Sequence, residues 1–178
     1  SFENNPNALS LLHFFDKKLT FDHLDAKKFK LEFRPLFYID KYKNLKNFKK
    51  PKYKLLFLGT AHSDRYKISS QVVKWCINHH FSSFTYYYMQ SKLVYLIKSK
   101  FDSSFKDFDY SKLNFKSLRI DEIISYYEDS NIILDINHPD QRGLTMRTFE
   151  ALGAGKKLIT TNQMVKEYSF YNPNNIFV

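Results

Sequence analysis

With 178 residues, 43% hydrophobic and 18% aromatic, the chain has room for about one domain with a sizeable core, and no run of ~18 apolar residues marks a membrane-spanning helix. Its formal net charge of +10 favours anionic partners such as sugar nucleotides, anionic lipid headgroups or nucleic acid, although scattered lysines read first as a basic solvated surface. The single cysteine, Cys76, excludes an intrachain disulfide and fits a reducing cytoplasm, and Ser1-Phe2-Glu3-Asn4-Asn5-Pro6 lacks the basic start and apolar core of a signal peptide.

In chain order, residues 1 to 16 read as a loop and a helix with Leu9, Leu12 and Phe15 at helical spacing, and Leu19-Thr20-Phe21 as a short strand. Asp22 is placed to cap a helix from Leu24 to Phe29, and residues 31 to 39 read as extended. The densest basic stretch, Lys41 to Lys54, includes Tyr42, Phe48, Pro51 and Tyr53 and reads as a linker or exposed loop able to touch an anionic membrane surface. Lys54 to Leu58 is then a buried strand. Asp64 is expected to cap a helix whose apolar face is Ile68, Val72, Val73, Cys76 and Ile77, with Trp75 at its edge. In that company Cys76 reads as a buried structural thiol.

Phe81 to Met89 is a second strand, Ser91 to Lys100 a helix, and Asp102 to Tyr110 a loop without clear period. Phe115-Lys116-Ser117 reads as a short strand, and Asp121 to Asp129 as a helix with Ile123, Ile124 and Tyr127 inward. Asn131 to Ile136 and Lys157 to Thr161 are apolar runs rich in β-branched residues, and a short helix near Val165 to Tyr168 precedes Ile176-Phe177-Val178. Strands alternating with helices, with almost no hairpin turns, predict an α/β fold: a Rossmann-like parallel sheet flanked by helices.

The segment from His138 to Lys157 holds most of the chain's few glycines and joins two of these strands through a loop and a helix. Gly143 and Thr145 mark the helix start and Gly153 with Gly155 its end, while Met146, Phe149 and Leu152 recur at three-residue spacing and are expected to face the sheet. In an open parallel sheet, ligands bind outside the carboxyl ends of the strands. A helix start there offers unpaired N–H groups and the positive end of its dipole to an anion. The N–H groups around Gly143, Leu144 and Thr145 are therefore candidates, with Arg142 and Arg147 for phosphate oxygens and Glu150 for sugar hydroxyls. The competing reading makes Arg147 and Glu150 an i,i+3 surface pair worth only ~0.2–0.5 kcal/mol.

A second loop, Thr60-Ala61-His62-Ser63-Asp64-Arg65, leaves the end of an earlier strand at Gly59 and is expected at the same edge. There Gly59 permits close backbone approach and Arg65 can offset the charge of a leaving diphosphate, or Arg65 is merely a solvated first-turn residue. His62 either bonds a phosphate or orders the loop. His138, held extended before Pro139, has the same two readings. His79-His80 lacks partners at metal-ligand spacing and reads as a helix terminus, so no metal site is expected. Tyr86-Tyr87-Tyr88 reads as strand core more readily than as a base-stacking platform, so nucleic acid is an unlikely partner. Asp135, inside a strand, requires a hydrogen-bond partner near the sheet end. No G-x-G-x-x-G follows an early strand, which argues against a nicotinamide cofactor.

The run Arg147-Thr148-Phe149-Glu150-Ala151-Leu152-Gly153-Ala154-Gly155, followed by an apolar strand, resembles the R-x-F-E-A-L-A-x-G signature of bacterial group 1 glycosyltransferases, most nearly the CgeB-like and polysaccharide-biosynthesis branch. The stretch Tyr53 to Tyr66 resembles the opening strand and glycine loop of the same domain, and the likeness spans roughly residues 50 to 178. It implies the C-terminal, donor-binding half of a GT-B fold, using a nucleotide-diphosphate sugar as substrate without a cofactor or metal. The implied acceptor is a surface polysaccharide or a lipid-linked saccharide, and the implied setting is the cytoplasm, peripheral to the inner membrane face. By the same likeness, residues 1–50 are the end of a preceding domain and a linker, residues 51–178 the nucleotide-sugar domain, and the chain a fragment whose upstream half carries much of the acceptor site. Many retaining members carry a second glutamate eight positions before the one matched by Glu150. Here that position is Arg142, so stereochemistry is open, no catalytic residue is assigned, and a non-catalytic nucleotide-binding regulatory or scaffold domain is the alternative. On this reading Arg147→Ala and Glu150→Ala weaken donor binding with little loss of stability.

Overall fold

The computed structural model describes residues 7–43, 45, 50–62, 64–105 and 108–178. The start of the chain at residues 1–6, residues 44 and 46–49 of the basic 41–54 stretch, including Phe48, Ser63 of the Gly59 loop, and residues 106–107 of the expected 102–110 loop lie outside the described residues.

Short elements come first: α1 (Asn7–Ser10), a 3-10 turn (Leu12–Phe14), β1 (Leu19–Thr20), α2 (His23–Phe29), β2 (Glu32–Phe33) and α3 (Asp40–Lys43). The expected cap of α2 is present, with Asp22 Oδ1 accepting from the Leu24 N–H at 2.9 Å and the Asp25 N–H at 3.3 Å. The expected single helix before residue 16 is instead α1 and the 3-10 turn, and Phe15 is exposed. β1 pairs with β2 in parallel, apart from the main sheet.

The main sheet is built from β3 (Tyr53–Thr60), β4 (Ser83–Tyr88), β5 (Leu113–Asn114), β6 (Ser130–Asp135), β7 (Lys157–Thr160) and β8 (Ile176–Phe177). Its helices are α4 (Arg65–Asn78), α5 (Lys92–Phe101), α6 (Ile120–Glu128) and α7 (Met146–Gly153). All strands are parallel and lie in the order β5-β4-β3-β6-β7-β8, a Rossmann-like α/β arrangement. The chain moves outward from β3 through β4 to β5, then crosses to the other side of β3 to lay down β6, β7 and β8. The direction of winding therefore reverses between β3 and β6.

Both faces of the sheet are buried, which is why its central strands read as continuous apolar runs. Leu55 and Phe57 pack on one side with Cys76, Tyr87, Leu134 and Phe105, while Leu56 and Leu58 pack on the other with Tyr127, Ile133, Phe149 and Leu158. Burial raises the pKa of the Cys76 thiol, in keeping with a structural role. The segment before the sheet joins the second side. Tyr42 is 2% exposed and meets Tyr127 edge-on at 5.2 Å, and His23 and Phe33 pack against Tyr168.

Four local expectations change. Asp64 occupies the position before α4 but makes no cap bond, because its near-helical backbone (φ −81°, ψ 5°) does not present the carboxylate as an extended N-cap does. The inward stripe of α4 is Ile68, Val72 and Cys76, four residues apart; Ile77, one position on, is exposed. The fifth strand of the chain is Leu113–Asn114 rather than Phe115-Lys116-Ser117, since pairing with Tyr87 and Tyr88 carries Leu113 into the core. On α7 the buried residues are Thr148, Phe149 and Ala151, and Met146 stands half-exposed at the helix start.

Candidate functional site

At the carboxyl edge, where β3 and β6 part company, lies a cleft of about 230 Å³. It is lined by the ends of both strands, by Arg65 from α4, and by Thr145, Met146, Arg147 and Glu150 at the start of α7. This is the place an open α/β sheet offers a ligand, because diverging loops leave a crevice that no crossover fills.

The start of α7 is fixed by a buried carboxylate. Asp135, the last residue of β6 and only 4% exposed, accepts through Oδ2 from the hydroxyls of Thr145 and Thr148, each at 2.7 Å. Thr145 also caps the helix, its Oγ1 accepting from the Thr148 N–H at 3.3 Å. At the other end Gly155 turns at φ +64°, where the left-handed backbone suits glycine, and the Lys156 N–H returns to the Ala151 carbonyl at 2.9 Å. The partner required for Asp135 by its place in a strand is thus the first turn of the next helix.

Arg65 spans the divide. Its Nε donates to the Ile136 carbonyl at 2.8 Å, just past β6, and its Nη1 donates to Thr60 Oγ1 at 3.1 Å, at the end of β3. Burial pushes its pKa down, Asp135 draws it up and Arg147 pushes it down again, with a net fall. Nη2 makes no hydrogen bond among the described residues, so a desolvated guanidinium keeps donor capacity at the cleft.

Arg147 and Glu150 meet at 3.1 Å, with side chains only 22% and 17% exposed, which removes them from the class of solvated surface pairs. Arg147 Nη1 also donates to the Tyr127 hydroxyl at 3.1 Å, and that hydroxyl faces Glu150 Oε2 at 3.5 Å. Burial opposes the charge on Arg147, but Tyr127 and Glu150 outweigh it and hold its pKa above the ordinary arginine value. Tyr127 and Tyr42 are held protonated, chiefly by burial, with the Glu150 charge adding to it. Behind the cleft, then, stands a polar network of two tyrosines, an arginine and a glutamate. Tyr127 and Tyr42 are its members that sequence reasoning did not connect to the site; the only signal was a tyrosine among inward helical positions.

A shallower recess of about 200 Å³ adjoins the cleft across Leu58, Gly59, Thr60 and Arg147 and is walled by Tyr86, Tyr88, Leu118 and Ile123. Gly59 lies on the border between them. A Cβ there would stand 2.9 Å from the Phe57 ring, so a larger residue would press into the wall.

The structure brings together Gly59, Arg65, Thr145, Arg147 and Glu150 from the residues singled out in the sequence. His62 and His138 sit side by side on the two loops, ring centroids 5.4 Å apart, but line neither compartment. Burial, with Arg65 and His138 adding, pushes His62 down to about 4. His138 accepts from the Asp140 N–H through Nδ1 at 3.2 Å, the loop-ordering role. Leu144 is 1% exposed in the core. Gly143 is buried against the earlier segment, where a Cβ would come 2.7 Å from the Phe21 ring, so close packing accounts for the glycine. Arg142 has an exposed side chain outside the cleft lining, and its carbonyl accepts from Asn162 Nδ2 at 3.2 Å. Asn162 bonds the Gly143 carbonyl as well, tying the loop to the end of β7.

Among the described residues no group of three or more His, Cys, Asp or Glu side chains is arranged to hold a metal ion, and no helix is long and apolar enough to cross a membrane. Comparison of the sequence with protein-family models and with curated proteins gives no match.

Proposed function

We propose that the chain is the donor-binding domain of a glycosyltransferase, holding the diphosphate of a nucleotide-diphosphate sugar in the cleft between β3 and β6. The observation that carries this reading is the convergence of Arg65 and Arg147 with the start of α7 on one small crevice, beside the carboxylate of Glu150. When the bond between the sugar and the diphosphate breaks, negative charge grows on the departing phosphate. Two partly desolvated guanidiniums and a fixed helix start are suited to stabilise it, because neither must reorganise. Glu150 can accept from sugar or ribose hydroxyls, and the adjoining tyrosine-walled recess suits a planar base.

The likeness of the Arg147 to Gly155 run to group 1 glycosyltransferases points the same way, toward the C-terminal half of a GT-B fold. The sugar would pass to a saccharide or lipid-linked acceptor of a surface polysaccharide at the cytoplasmic face of the inner membrane. No group in the cleft is assigned as catalytic base. A non-catalytic nucleotide-binding domain is the second reading, favoured by Arg142 standing where many relatives in that family carry a glutamate.

Titration calorimetry with UDP-, GDP-, ADP- and dTDP-sugars tests the site. Saturable binding of one of them, competed by its free nucleoside diphosphate, is expected; if none of these binds, the donor-site reading fails. Measuring donor hydrolysis then separates enzyme from binding module.

A further inference from the structure

Helix α5 is apolar on both sides. Val94 and Tyr95 pack against the core with Phe105, yet Leu93, Leu96, Ile97 and Phe101 are 67%, 56%, 52% and 85% exposed. At 3.6 residues per turn these four fall within one arc of about 140°, so they form a stripe along the outer side of the helix. A surface helix ordinarily turns polar residues outward, and one that is apolar all round ordinarily has a second partner.

The charges around the stripe indicate which partner. Exposed Lys100 lies within the arc and exposed Lys92 beside it, and α5 contains no acidic residue. A lysine stem carries its ammonium past an apolar boundary to reach phosphate oxygens. Packing against a second copy of the chain would set these lysines against like charges on a protein of net charge +10. An anionic lipid surface matches both properties at once: acyl chains for the stripe and phosphates for the ammonium groups.

We propose that α5 docks flat on an anionic membrane surface, with Leu93, Leu96, Ile97 and Phe101 at the acyl boundary and Lys92 and Lys100 among the headgroups. The helix is capped by Ser91, just beyond the carboxyl end of β4. Its start therefore lies at the same carboxyl edge of the sheet as the cleft. Membrane docking by α5 holds whatever occupies the cleft.

Co-sedimentation with vesicles of phosphatidylcholine alone, or mixed with phosphatidylglycerol, tests this directly at low and high salt. The protein is expected to pellet with the anionic vesicles and far less with the neutral ones, with binding weakened by salt. Leu96→Ser/Ile97→Ser should lower partitioning at least tenfold, and Lys92→Ala/Lys100→Ala roughly fivefold per lysine. Both variants should keep the wild-type circular dichroism; if the serine variant fails to fold, the lysine variant decides. The proposal is overturned by absence of binding to anionic vesicles, by equal binding to both kinds, or by binding unchanged in the folded variants. It is equally overturned if sedimentation shows a dimer that Leu96→Ser abolishes while vesicles are ignored.

Discussion

Two carboxylates flank the first turns of α7, and they are held in different ways. Asp135 accepts from two threonine hydroxyls of the following helix and lies almost wholly inside the protein. Glu150 faces a guanidinium and a tyrosine hydroxyl at the edge of a cleft. Both donors are neutral hydroxyls at the start of the next helix, so Asp135 acts as a clamp between β6 and α7. An arginine shared between a glutamate, a tyrosine and an open crevice can take up a further anion. The same helix therefore has a fixed anchor on one side and an exchangeable network on the other.

Asp135→Ala should have the largest effect on stability. It leaves the Thr145 and Thr148 hydroxyls without their acceptor and removes the negative charge that draws up the Arg65 pKa. Two buried hydrogen bonds to a charged group correspond to about 3–6 kcal/mol. For a chain of this size that lowers the melting temperature by roughly 6–24 °C. Asp135→Asn keeps an acceptor oxygen and should lose about half as much. Equal melting temperatures for wild type and Asp135→Ala would show that the clamp carries no load.

Arg147→Ala comes next, and here burial alters the expectation drawn from sequence. A pair on an open helix face could be removed with little loss of stability. The pair observed is mostly covered, and removal of the arginine strands Glu150 and the Tyr127 hydroxyl. A loss of about 2–3 kcal/mol is expected, below the range for a fully buried pair because each side chain retains some exposure. Donor affinity should fall in addition, which calorimetry on the folded fraction separates from the loss of stability. Tyr127→Phe should weaken stability less, by about 1 kcal/mol, since the ion pair remains. Should Arg147→Ala bind donor as tightly as wild type, Arg147 is structural only and the cleft depends on Arg65.

These contrasts also explain what the sequence made legible. Periodicity exposed the strands and the later helices, because a parallel sheet buried on both faces leaves unbroken apolar runs and each helix facing it leaves a stripe. Thr145 and Gly155 marked the ends of α7 because capping is local chemistry. The same locality explains the failures. Whether Asp64 caps depends on its backbone angle, and whether Leu113 or Phe115 forms a strand depends on register with Tyr87. The cleft was half legible: Gly59, Arg65, Thr145, Arg147 and Glu150 occur in two segments whose placement at one edge follows from the topology. Tyr42 and Tyr127 were not, since their convergence on Glu150 depends on α3 and α6 packing against α7 from distant points in the chain.

A further effect, below those of Asp135 and Arg147, lies on the loops at the cleft's edge and concerns protons. His62 is held neutral, with its pKa pushed from 6.5 down to about 4 by burial, by Arg65, by His138 and by Lys98, against a smaller opposing pull from Asp102. Between those values the unfolded chain binds a proton that the folded chain refuses, so stability rises with pH across that window and is lost as pH falls from 6.5 toward 4. The full shift would correspond to about 3 kcal/mol, and discounting for the solvent that reaches the ring leaves about 1–2 kcal/mol. His62→Gln removes this proton alone, because Arg65, His138, Lys98 and Asp102 all remain. Melting temperature measured from pH 7 to pH 4.5 should therefore fall less steeply in the variant, by a few degrees over the window. Parallel curves would mean that the ring titrates in the folded chain as it does in the unfolded one, so that the loops at the cleft gain a positive charge as pH falls through the window.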